Sequence, residues 1–390
     1  DIVTPNGFEP NFVPEGKEYA KKRKEARRTL INVAEKLLGC SIDPNALLVS
    51  TSGRYEYRNK GIDVFIEAMN RVRTSGRLQR EVVAFIMVPA DPEITWNPKT
   101  EEWMIFYTSR RPFKDQSSYV GTPVGVAVSK DFVHWKFAGY CSFDGVGGQP
   151  DSEKTYWAPG VIVEGDSAHM FVTLKDDSTP VWGGPSNIVH FSAPLEDMIS
   201  GWRRVNTVVD TPISIDATVI KNGDRWDMWY RDRPTEDTGG LYYAQSNDLY
   251  HWTLKGLAKG DINNVEVTKH TYQEGAYAFQ WKGYFWIIAD PHKGLAVYRS
   301  KDAENWEYQG IVMYEPGTRF FDNTRARHPS VIIRNDRAFI VYHVQPFLGY
   351  NPNTHEAGDD VYQKLSFLQM AELEFKDGKL ICDRNKVLYK

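Results

Sequence analysis

Apolar and polar positions fall into two regimes along this chain. Between about Glu15 and Leu38, Leu30, Val33, Ala34, Leu37 and Leu38 recur at helical spacing, and Gly39 supplies a stop. A second helical face, Ile62, Phe65, Ile66, Met69 and Val72, lies between Gly61 and Val72. From about Glu81 the period shortens to two, and short β segments alternate with Gly, Asp, Asn and Pro turns. The heptapeptide Ser-x-Asp-x-x-x-Trp punctuates this part three times, at Ser129–Trp135, Ser246–Trp252 and Ser300–Trp306. The first two copies lie about twice as far apart as the last two, and Ser192 to Trp202 fills the gap as a degenerate copy.

Five units follow from this register: about Val83–Phe143, Tyr156–Val208, Ile213–Leu257, Tyr272–Met313 and Arg327–Lys390. Each begins with an innermost strand, turns, and continues through an aromatic-rich strand; Asn222-Gly223, Lys282-Gly283 and Asn335-Asp336 are hairpin turns. The predicted fold is all-β, a five-bladed β-propeller over residues 81–390, preceded at 1–80 by an N-terminal arm and helical extension. Either Leu47–Thr51 or Val82–Val88 is expected to close the ring with the last blade.

Composition narrows the function. The 12 Trp, 21 Tyr and 19 Phe suit strands and also clefts that stack on sugar rings. A net charge of −4, with the basic stretch Lys21–Arg28 interleaved by Glu25, argues against a nucleic-acid partner. No apolar segment is long enough for a membrane helix. Cys40, Cys141 and Cys382 show no metal-ligand spacing, and no cofactor is called for. The chain starts at Asp1, compatible with a removed leader, and a secreted or periplasmic location is expected over a cytoplasmic one.

In a propeller the innermost strands converge at one end of the axis, so polar residues at their starts meet. Those starts carry Asp91, Trp157, Asp216, Glu274 and His328. Three carboxylates at equivalent points suit glycosidic hydrolysis, in which an acid protonates the leaving oxygen and a base activates water. A neighbouring like charge would keep the acid protonated. Taken singly, each reads first as a turn residue bonded to its own loop; it is their shared place in the repeat that favours a site.

The series Asp-Pro, Trp-Ala-Pro, Ile-Asp-Ala, Glu-Gly, His-x-Ser resembles five-bladed propeller glycoside hydrolases, above all family 43, the arabinofuranosidase, arabinanase and xylosidase group. That resemblance implies Asp91 as general base, Asp216 as pKa modulator, Glu274 as general acid and Trp157 as a sugar platform. It places His328 near the axis, where some relatives hold a calcium ion. The N-terminal extension looks like the arm that family 117 enzymes use in dimers, and implies a homodimer. Family 43 has Glu-Gly-Pro where this chain has Glu274-Gly275-Ala276.

Further candidates stay open between two roles. Arg110, with Arg111, suits a charged or highly hydroxylated sugar or a solvated loop. Asp232 suits a substrate hydroxyl or an ion pair with Arg231. His343 suits the funnel or a buried bond to a carbonyl, and Trp182 a sugar cover or packing. The expectation is an inverting, exo-acting glycosidase on oligosaccharides from plant or algal polysaccharides, with a binding-only propeller, an anhydro-galactosidase-like activity and a phosphorylase as alternatives. Inversion requires the Asp91 and Glu274 carboxyls to stand about 6.5–9.5 Å apart.

Overall fold

The computed structural model describes residues 16–38, 41–52, 68–69, 71–72, 81–87, 92–109, 121–131, 135–149, 154–175, 184–235, 239–319, 322–345 and 366–386. The chain divides into two compact units, one comprising residues 1–52 and 61–87 and the other comprising 53–60 and 88–388, apart from two residues at the extreme C-terminus.

In the first unit, helix α1 (Gly16–Leu38) exposes Glu18, Lys21, Lys22 and Lys24 and buries Ile31 against Ile42, Ala46 and Val83. Arg27 anchors the helix by donating to the Pro44 carbonyl at 2.7 and 3.0 Å. Strand β1 (Leu47–Ser52) pairs in parallel with β2 (Val82–Met87), Leu47 opposite Val82. Parallel neighbours need a long crossover, so this is a small α/β arrangement. Ala68, Met69, Arg71 and Val72, within the second expected helix, are helical. The expected arm at residues 1–15 lies outside the described residues.

The second unit holds five blades, each ordered outward from its innermost strand. Blade I is β3 (Pro92–Asn97), β4 (Glu102–Thr108), β5 (Val124–Ser129) and β6 (Lys136–Tyr140). A small hairpin, β7 (Ser142–Phe143) and β8 (Val146–Gly147), precedes blade II. Blade II is β9 (Thr155–Glu164), β10 (Ser167–Lys175), β11 (Ser186–Pro194) and β12 (Arg203–Val209). Blade III is β13 (Ser214–Asn222), β14 (Arg225–Asp232), β15 (Gly240–Ser246) and β16 (Trp252–Leu257). In blade IV, β17 (Lys259–Gly260) adds in parallel outside β18 (Glu274–Trp281), β19 (Tyr284–Asp290), β20 (Leu295–Ser300) and β21 (Asn305–Val312). Blade V is β22 (Arg327–Arg334), β23 (Arg337–Val344), β24 (Phe367–Lys376) and β25 (Lys379–Cys382).

Neither β1 nor β2 enters a blade, which corrects the expectation that one of them closes the ring. Each blade draws its four main strands from one continuous stretch. Closure comes from packing blade V on blade I: Ile94, Ile105 and Tyr107 meet Ile332 and Val341, and the Ile94 N–H donates to Ser330 Oγ at 3.3 Å. The other four interfaces are built alike. Phe106 and Met170 fill I–II, Phe171 and Met228 fill II–III, Trp229 and Ile287 fill III–IV, and Trp286 and Ile340 fill IV–V. Alternate residues of one second strand therefore face opposite neighbours, which is why Trp226 to Asp232 are buried without a break.

Candidate active site

A β-bulge interrupts the innermost strand of blades II, III, IV and V. The pairing slips opposite Phe171–Thr173, between Ile215 and Thr218, between Glu274 and Tyr277, and between Arg327 and Ser330. At each slip one residue is left-handed: Ala158 (φ 42°), Asp216 (φ 59°), Gly275 (φ 54°) and His328 (φ 38°). A bulge leaves its extra residue unpaired and re-aims the side chain. The N–H freed there is taken by the preceding blade. Ala158 N donates to Thr108 Oγ1 (2.9 Å), Asp216 N to Thr173 Oγ1 (3.1 Å), Gly275 N to Asp216 Oδ2 (2.9 Å) and His328 N to Asp290 Oδ2 (3.4 Å).

This register refines the sequence reading. Asp216 and His328 occupy the bulge position, whereas Trp157 and Glu274 sit one residue before it. Glu274 still meets Asp216, because Asp216 reaches across to the amide beside Glu274. Oxygen and nitrogen atoms of Asp216, Glu274 and His328 lie within 4.8 Å of one another. Gly275 makes this approach possible, since a Cβ there would stand 2.7 Å from His328 Nδ1.

Glu274 is ringed by donors. His292 Nε2 lies 2.7 Å and His328 Nε2 3.4 Å from Oε1, Arg327 lies at 3.5 Å, and the Tyr272 hydroxyl donates to Oε2. Burial pushes the Glu274 carboxyl up, but the hydrogen bonds and charge of His292 and His328 prevail and hold it well below the usual range. The expectation that a like charge keeps it protonated is therefore reversed in the free protein. Behind it, fully buried Asp290 accepts from Arg327 Nε at 3.0 Å and from the His292 N–H at 2.7 Å. Burial again opposes ionisation, and Arg327, His292 and His328 hold Asp290 low.

Asp216, Tyr272, Glu274, Arg327 and His328 line a cavity of about 240 Å³ together with Trp157, Arg231, Asp232, Arg233, His343 and Gln345. His343 pairs across the strand with Arg327, its ring 5.6 Å from that of His328. Among the described residues Asp232 forms no ion pair: Oδ1 accepts from Thr211 Oγ1 (2.9 Å) and from the Arg233 N–H (2.7 Å). Arg231 instead gives Nη1 to two main-chain carbonyls, Asp232 O and Gly240 O. Burial raises the Asp232 carboxyl. A larger hollow of about 690 Å³, lined by Thr268, Tyr314, Cys382 and Arg384 among others, contains none of the predicted site residues.

Asp91, Arg110 and Trp182 lie outside the described residues. The trio Asp216, Glu274 and His328 does not suit calcium, which takes six to eight oxygen ligands. It offers one imidazole nitrogen and two carboxylates that already accept hydrogen bonds, with a guanidinium beside Glu274. Sequence reasoning missed Tyr272, Asp290 and His292. A signal was present, since Asp290 ends the aromatic strand of blade IV at the position that Arg231 and His343 hold in blades III and V.

Known proteins match the two parts of the chain separately. Residues 1–100 match the family described as glycogen synthase. Glycogen [starch] synthase of Neurospora crassa and its isoform 2 of Saccharomyces cerevisiae are each 50% identical over 50 residues, 12% of this chain and 7% of theirs. The extension's expected likeness was to the family 117 arm, and this match differs from it. The propeller is similar to a thermostable family-43 glycoside hydrolase, with TM-score 0.55, 17% identity, and 77% of this chain and 95% of that one covered. It is similar to a GH43 β-xylosidase/α-arabinofuranosidase from a compost microbial metagenome, with TM-score 0.52, 14% identity and coverage of 75% and 93%. A GH43_1 enzyme from Xanthomonas citri, solved with xylotriose, gives TM-score 0.53, 14% identity and coverage of 75% and 89%. At such identity the likeness establishes the five-bladed fold.

Proposed function

We propose that the propeller is a glycoside hydrolase acting on oligosaccharides derived from plant or algal polysaccharides. The observation that carries this reading is the convergence of Asp216 and Glu274 from adjacent blades into one cavity beside Trp157. The hydrolases and the xylosidase/arabinofuranosidase that share the fold agree with it. In this reading Glu274 protonates the leaving oxygen. The hydrogen bonds to His292 Nε2 (2.7 Å) and His328 Nε2 (3.4 Å) at Oε1 are the route by which a proton reaches Glu274 and passes on to the leaving oxygen. Asp91 is the base, and Asp216 holds the backbone beside the acid through Gly275.

Hydrolysis of a panel of aryl glycosides and oligosaccharides, followed by NMR, tests the assignment. Glu274→Gln is expected to lower kcat about 10²–10⁴-fold on substrates that need protonation of the leaving group. Unchanged turnover would remove Glu274 from the reaction. With Asp91 as base, the first-formed sugar has inverted configuration. Retention would instead make Asp216 the nucleophile, because its carboxylate lies within 4.8 Å of Glu274.

A further inference from the structure

Arg231 is 8% exposed, yet among the described residues no carboxylate stands within ion-pair distance of its guanidinium. Nη1 donates to the neutral carbonyls of Asp232 and Gly240, at 2.5 and 3.3 Å. Nε and Nη2 make no hydrogen bond to a described residue, and the side chain lines the cavity. The chain makes room for this group, since a Cβ on Gly239 would stand 2.8 Å from Nη2. Two residues on, Arg233 is half-buried and lines the same cavity. Its main-chain N–H is bonded to Asp232 Oδ1 and Ile213 O, while its guanidinium bonds to no described residue. A buried cation without a counter-ion is costly, and a guanidinium fork matches a carboxylate better than a hydroxyl.

We propose that Arg231 and Arg233 form a subsite for the carboxylate of an acidic sugar, a uronosyl residue at the scissile bond. The inference rests on the glycosidase reading and adds the substrate class. Tyr272 fixes the place of this subsite. Its ring carries the Arg231 guanidinium at 4.9 Å, and its hydroxyl donates to Glu274. Anion and acid are thus separated by the length of one tyrosine, so the charged group belongs to the sugar whose bond is broken. In the neighbouring Asp232, one oxygen is already engaged by Thr211 and the Arg233 amide.

Calorimetric titration of the full chain with D-glucuronate and D-galacturonate, set against D-glucose and D-galactose, tests the subsite without requiring turnover. Uronates are expected to bind at least about tenfold more tightly than the neutral sugars, the equivalent of one charge-assisted bond. Arg231→Met and the more exposed Arg233→Met should each weaken uronate binding more than neutral-sugar binding and so remove that preference; Arg231→Lys should restore part of it. Equal binding of both classes, no binding of either, or equal losses in the variants would overturn the subsite. Tighter binding of inorganic phosphate than of uronate, with turnover dependent on phosphate, would overturn it in favour of a phosphorolytic site. Uronate selectivity without hydrolysis keeps the subsite and removes the hydrolase. Hydrolysis lost in Glu274→Gln without uronate selectivity does the reverse.

Discussion

Glu274 illustrates how a single residue acquires its chemistry from neighbours distant in sequence. Nothing within two positions of it except Tyr272 sets its ionisation. The decisive donors, His292 and His328, arrive from the β19–β20 loop and from blade V. His292 itself is left-handed (φ 62°), its N–H held by Asp290 and its ring 5.1 Å from Tyr272 in an edge contact. Replacing His292 by Gln is therefore expected to raise the Glu274 pKa toward the ordinary carboxylate range, because one of the two imidazoles that stabilise the anion is lost. Titration of the labelled Glu274 carboxyl carbon by NMR reads the shift. No movement would mean that His328 and Arg327 alone hold the charge.

At the scale of elements, the recurring Ser-Asp-Trp segment is an outer-hairpin clamp. Asp302 Oδ1 accepts from Ser300 Oγ (2.8 Å) and from the N–H groups of Glu304 (2.9 Å) and Asn305 (2.8 Å), and Trp306 is 2% exposed in the III–IV interface. Asp248 repeats the pattern with Ser246, Tyr250 and His251. The degenerate copy keeps it with altered spacing: Asp197 accepts from Ile199 and Ser200, and Trp202 Nε1 donates to the Met198 carbonyl. Asp302→Ala should destabilise by about 1–2 kcal/mol through the unmade bonds, and Trp306→Ala by about 3–5 kcal/mol through the cavity left behind. Denaturant unfolding measures both. A larger loss from Asp302→Ala than from Trp306→Ala would show that the turn, rather than the indole, holds the hairpin. These clamps were legible in the chain because they are local. The bulges were not, since the one extra residue in each is defined by how the strand pairs with its neighbour, and the four sites share no residue type that marks it.

The whole molecule carries a built-in sensitivity to acid. His169 and His190 are buried between blades II and III, their rings linked Nδ1 to Nε2 at 2.9 Å, with His190 stacked on Phe171. Burial and the neighbouring His169 push His190 down to about 3 from 6.5. The fold thus prefers neutral His190. Its contribution is complete above about pH 6.5 and declines toward pH 3 at about 1.4 kcal/mol per unit, the slope of one proton bound only by the unfolded chain. Glu274 and Asp290, both held low, add losses of the same sign that begin as the pH falls through the ordinary carboxylate range, about pH 4. Thermal unfolding of wild type and His190→Phe across pH 7 to 4 checks this. The variant should show the flatter dependence, and an identical slope would assign the acid lability elsewhere.

Periodicity and the repeated heptapeptide were enough to determine five blades and their order, because strand alternation and turn chemistry depend on residues a few positions apart. The same reasoning singled out Asp216, Glu274, Trp157, His328 and His343, which the structure brings to one cavity. Tertiary structure alone decided that Glu274 stands one position off Asp216, that His292 and Tyr272 complete its surroundings, and that β1 pairs with β2 instead of closing the ring. The physical reason is common to these cases. Hydrogen-bond partners, charge states and ring closure depend on distances between blades, and such distances leave no periodic mark on the chain.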